Sequence, residues 1–77
     1  MGYKLVRTMN KIKLGKYKEY TGRYAEVIMI AKEADSKEDF VIYKYSDDPE
    51  GNIIATPLSI FEGFVQSSGF KKFTHID

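Results

Sequence analysis

Two apolar runs lying close together constrain this chain more than any other feature. The first is Val27-Ile28-Met29-Ile30-Ala31, apolar at five successive positions, and the second is Phe40-Val41-Ile42-Tyr43-Lys44-Tyr45. Both are rich in β-branched or aromatic residues and too short for an ordinary helix, so both read as strands. The successive apolar positions of the first suit a strand buried on both faces. The polar stretch Ala34-Asp35-Ser36-Lys37-Glu38-Asp39 between them is a connection. A long antiparallel hairpin is the expected result.

The flanks supply shorter pieces. Residues 16–20 are short and aromatic, and Thr21-Gly22-Arg23 reads as a turn. Residues 46–52 form an acidic loop punctuated by Pro49 and Gly51. Residues 53–56 can add a short third partner strand, which Pro57 ends because it has no N–H for a ladder. Ser59 and Glu62 have the spacing of a capping box. Ile60, Phe61, Phe64 and Val65 follow on one side of a turn or two of helix, kept short by Gly63. Residues 70–76 alternate loosely and can serve as a last strand.

The N-terminus is ambiguous. Leu5, Met9 and Ile12 would align on a helix, whereas Lys11-Ile12-Lys13-Leu14 alternates like a strand. An extended arm ending in a strand is the reading adopted. The chain is therefore expected to be mostly β: a small SH3-like barrel of about five antiparallel strands, with a short helical turn near residues 59–65. Residues 1–14 would be a basic arm or first strand, and residues 15–77 a single small β-barrel domain. Closure would remove sheet edges at little cost in residues. An open curled sheet with one helix is the alternative.

At 77 residues the chain has room for one core. It has no cysteine and one histidine, so neither disulfides nor a structural zinc site can supplement that core. No apolar run approaches the ~18 residues of a membrane span, and no apolar leader region follows the N-terminus. A cytoplasmic protein without membrane partners or cofactors is expected.

The net charge of +1 hides a polarity. Residues 1–23 carry seven basic side chains against Glu19, whereas residues 24–77 carry five basic and ten acidic ones. A basic front can meet an anionic partner, or the acidic part of its own fold or of a neighbouring copy.

From Tyr17 onward the sequence resembles a bacterial and phage family of small domains of unknown function. Members read like Tyr-Arg-His-Tyr-Lys-Gly, then Glu-Val, a long hairpin, and Arg-Pro-Leu-x-x-Phe. Here the opening is Tyr17-Lys18-Glu19-Tyr20-Thr21-Gly22, followed by Glu26-Val27. The hairpin from Ala31 to Lys44 matches without a gap, and the finish is Thr56-Pro57-Leu58-Ser59-Ile60-Phe61. The likeness spans roughly residues 15–65. It implies a compact SH3-like β fold and brings no activity with it. The family's two histidines correspond to Glu19 and Glu33, an aromatic to Ala25, and its Trp and Arg to Ile54 and Thr56. A ligand site typical of the family is therefore altered or missing here.

Catalytic constellations fail on spacing. His75 is the only imidazole, near the C-terminus beside Asp77, and no nucleophile-elbow motif accompanies Ser46, Ser59, Ser67 or Ser68. With Gly51 at the sixth position of a calcium loop, the twelfth is Pro57 and the required carboxylate is absent. The carboxylate pairs Asp47-Asp48 and Glu38-Asp39 are adjacent in sequence, so their side chains diverge. The glycines form no phosphate-cradling motif.

What remains is basic and aromatic. Lys16, Lys18 and Arg23 interleave with Tyr17, Tyr20 and Tyr24, and Tyr43 and Tyr45 share one face of the hairpin. The expectation is a non-enzymatic binding module for a protein partner. Tyr17, Tyr20, Tyr43 and Tyr45 would make its contact face, with Lys16, Lys18 and Arg23 steering. Two alternatives are nucleic-acid or nucleotide binding along the basic stretch, and a structural homo-oligomer. The plain reading of the same residues is half-buried strand tyrosines beside solvated edge lysines.

Overall fold

The computed structural model describes residues 12–76. The arm expected over residues 1–14 lies mostly outside the described residues, and residues 12–14 lead into the sheet without strand structure. The elements run β1 (Gly15–Glu19), β2 (Tyr24–Lys32), β3 (Asp39–Tyr45), β4 (Ile54–Pro57), α1 (Leu58–Phe61) and β5 (Phe73–His75). All five strands join one antiparallel sheet in the order β4-β3-β2-β1-β5.

The hairpin forms as its sequence dictates. Lys32 pairs with Asp39 at the turn end and Ala25 with Tyr45 at the open end. The register shifts between Val27 and Met29, a bulge that inserts Ile28 into β2. At the turn, Lys32 Nζ donates to the buried Asp39 carboxylate at 2.6 Å. The Glu33 carboxylate accepts from the Asp35 and Ser36 amides, tying down the six-residue connection.

One face of the sheet carries the core. Tyr17, Ala25, Val27, Val41 and Tyr43 alternate inward from β1, β2 and β3, and Phe61 and Phe73 join them from α1 and β5. Phe61 is 2% exposed. Its ring stacks on Phe73 at 4.2 Å and meets Tyr17 at 5.3 Å and Tyr43 at 5.4 Å. Tyr43 and Phe73 touch at 5.6 Å although β3 and β5 are three strands apart in the sheet. Three steps in a flat sheet span about 14 Å, so the sheet is tightly curled.

It is nevertheless open. β4 and β5 are its two edges and do not pair with each other, so the ladder does not close into the expected barrel. Both edges are short, four and three residues, and Pro57 ends β4. Phe61 fills the core between them instead.

The helical turn also departs from expectation. It covers Leu58–Phe61 rather than reaching residue 65, and the Ser59–Glu62 capping box does not form. Pro57 occupies the cap position, so Ser59 already lies inside the helix. Beyond it the chain makes a small hairpin, with Val65 N–H donating to Phe70 and Lys72 N–H to Gly63. That pairing consumes Phe70 and Lys71, so β5 begins only at Phe73.

Candidate functional site

The curl sends the seven tyrosines and cations singled out from the sequence to different places. Tyr17 and Tyr43 are core residues, 6% and 4% exposed. The Tyr17 hydroxyl donates to the Lys13 carbonyl at 2.7 Å, and its ring meets His75 edge-on at 5.0 Å. The Tyr43 hydroxyl shares a hydrogen bond with that of Thr56 at 3.0 Å. Tyr43 and Tyr45 do lie on one face, with rings 5.7 Å apart. That face is the inner one, which corrects their expected presentation to a partner.

Tyr45 and Arg23 serve the rim of the core. Tyr45 donates to Glu19 Oε2 at 2.7 Å, and the Arg23 guanidinium lies 3.7 Å from the centre of its ring. Arg23 also grips Asp47 through Nε and Nη2. Hydrogen bonding to Asp47 raises the Arg23 pKa further and holds the Asp47 carboxyl below its ordinary range. Arg23 is thus engaged in a structural contact.

Burial, then the hydrogen bond to Glu19, push the Tyr45 hydroxyl far above an ordinary tyrosine pKa. The folded state therefore holds this proton more tightly than the unfolded chain. Its contribution is complete below about pH 10 and is lost as pH rises from there toward the folded-state value. Tyr17 adds to the same trend, raised chiefly by burial. Denaturant unfolding followed between neutral pH and strong alkali should show stability falling above about pH 10, less steeply in Tyr45→Phe. An equal slope in that variant would remove Tyr45 as the cause.

Lys16, Lys18 and Tyr20 reach solvent, as does Arg23 while it holds Asp47. Strand alternation that turns Tyr17 inward turns Lys16 and Lys18 outward. Across the ladder they face Glu26 and Tyr24 on β2, and Lys18 faces Thr74 on β5. Their ammonium groups lie 5.5 Å and 6.0 Å from the exposed Tyr24 ring. At the end of the strip, Tyr20, Phe70, Lys71, Thr74, Lys18 and Glu19 surround a shallow recess of about 360 Å³. Tyr20 is 54% exposed and Phe70 67%.

The structure thus assembles a basic, aromatic strip, but from a partly different set. Tyr24 enters it, as do Phe70 and Lys71 from the 63–72 hairpin. Tyr24 was within reach of sequence reasoning, since it alternates out of phase with Ala25 and Val27. Phe70 carried no such signal, because its exposure follows from the small hairpin. Among the described residues no three His, Cys, Asp or Glu side chains gather as a metal site. No helix among them is long and apolar enough to cross a membrane. The strip's chemistry is that of non-covalent contact: cations for carboxylates or phosphates, rings for apolar or planar groups.

The family described as Protein of unknown function (DUF1653) matches residues 15–74. The chain belongs to that family. The match begins with β1 and ends within β5, so it takes in every strand, the helix and the recess. A comparison with curated proteins and one with solved structures find no match. For this member of the DUF1653 family, function has to be argued from the strip itself.

Proposed function

We propose that this DUF1653 protein is a non-enzymatic binding module of SH3-like type. It engages a protein partner through Tyr20, Tyr24 and Phe70, steered by Lys16, Lys18 and Lys71. The observation carrying this reading is the exposed Tyr20–Phe70 pair bordering a recess beside two lysines. Large rings left in water beside cations are the composition expected of a contact surface, and they suit a segment with an apolar side chain flanked by carboxylates. The SH3-like assignment is supported by the last strand lying beside the first after a helical turn. A cytoplasmic setting is supported only by the lack of cysteine.

Affinity capture with the full chain from its own host's extract tests the reading. The double variant Tyr20→Ser/Phe70→Ser should melt like the wild type yet retain its partner roughly ten- to a hundred-fold less well. Equal retention by both chains overturns the contact surface. A second reading, nucleic-acid binding, is favoured by the exposed Tyr24 ring with its two neighbouring ammonium groups. It predicts capture of nucleic acid with affinity falling steeply as salt rises.

A further inference from the structure

The outer face of the sheet divides into two regions. Toward β1 it is charged, as described above. Toward β4 it is apolar, and the register shows that the apolar residues form continuous rows. Met29 lies opposite Ile42, and Ile42 opposite Ala55; Ala31 lies opposite Phe40, and Phe40 opposite Pro57. No element of the described chain covers these rows. Met29 is 50% exposed, and the bulged Ile28 beside it 36%. The five successive apolar positions of β2 suit a strand covered on both faces, yet only the inner face is covered. A contiguous apolar face on so small a fold, exposed at Met29, Ile28 and Ala55 and half-buried at Ala31, Phe40, Ile42 and Pro57, marks an interaction surface.

We infer that a second copy of this chain covers them, packing outer face to outer face about a two-fold axis that runs along the hairpin between β2 and β3. Register supports this occupant. Such an axis exchanges β2 and β3, so each outward residue of β2 lies over the partner copy of its own cross-strand neighbour. Met29 then faces Ile42 and Ala31 faces Phe40, each pairing occurring twice. Both pairings set apolar side chains on apolar ones, as two sheets packed about 10 Å apart require. The next outward row decides the matter, because there Glu26 lies opposite Lys44. The same operation sets Glu26 of each copy over Lys44 of the other, giving two interchain pairs of opposite sign. The face is complementary to itself in charge at this row. The recess by Tyr20 and Phe70 lies toward the opposite edge and stays open; Tyr24 and Lys16 flank Glu26 at the margin of the paired face, so this inference is independent of the recess but not of a contact through Tyr24.

Sedimentation equilibrium of the full chain over a concentration series should give twice the chain mass. Glu26→Lys sets a lysine over Lys44 across the axis and Lys44→Glu sets a glutamate over Glu26, so each variant alone should self-associate roughly ten-fold or more weakly. Mixed together, the two should re-associate about as tightly as the wild type, since opposite signs again meet across the axis. A fold defect would not be repaired by mixing. Met29→Lys, at a position already half exposed, keeps the fold and should also dissociate the pair. A wild type that remains a monomer overturns the inference, whether another protein or residues 1–11 cover the face. So do single variants that associate as tightly as the wild type, or a mixture that stays monomeric while both chains melt normally.

Discussion

Phe61→Ala leaves the chain largely unfolded at room temperature. Phe61 comes from a four-residue helix, yet its ring meets those of Tyr17, Tyr43 and Phe73, drawn from three different strands. Truncating a buried phenylalanine costs about 3–5 kcal/mol, part transfer and part cavity. A core of this size supplies only about 3–5 kcal/mol of net stability. Relaxation cannot close the cavity, because the neighbouring rings hang from a hydrogen-bonded ladder. The measurement is a denaturant melt by circular dichroism, with Phe61→Leu as the control that refills most of the volume. A full cooperative transition in the alanine variant, at a midpoint near that of the wild type, would show that Phe61 does not hold the edges together.

Tyr43→Ser/Tyr45→Ser is the second large effect, and it concerns the fold rather than partner capture. Tyr43 is 4% exposed and bonds Thr56 on β4, while Tyr45 bonds Glu19 on β1. The double change removes two rings from a contact chain that runs through Phe61 and Phe73. It also leaves Glu19 without its phenolic donor. Tyr43 alone should cost about 3 kcal/mol or more, and the pair should abolish cooperative unfolding. Tyr20→Ser/Phe70→Ser, with both side chains mostly in water, should move the melting midpoint little. If the hairpin pair instead left stability untouched while removing partner capture, the inner placement of these tyrosines would be wrong.

The contrast between those two pairs marks what the sequence could and could not convey. The hairpin was legible because Val27 to Ala31 and Phe40 to Tyr45 are apolar, β-branched and short. Which face of it pointed inward was not, since Phe40 and Ile42 are as apolar as Val41 and Tyr43 and both phases look buried. In β1 the phase was legible after all: Lys16 and Lys18 on either side of Tyr17 require the ring to point inward. Tyrosine hid this, because the same side chain serves a core with its ring and a surface with its hydroxyl. The failed capping box at Ser59 has a local cause in Pro57. The exposure of Phe70 depends on the pairing of residues 63–65 with residues 70–72, which no periodicity announces. The candidate site was therefore half visible, in Lys16, Lys18 and Tyr20. The other half was created by the curl and the small hairpin.

β1 and β5 lie side by side, with Tyr17 opposite His75. The backbone thus enters and leaves the sheet on neighbouring strands, about 5 Å apart. A sheet whose first and last strands are neighbours can be spliced into a surface loop of a host protein without prying that loop open. The sheet can equally be circularly permuted, Gly15 and Ile76 joined by a brief linker and new ends cut in the exposed loop around Pro49 and Glu50.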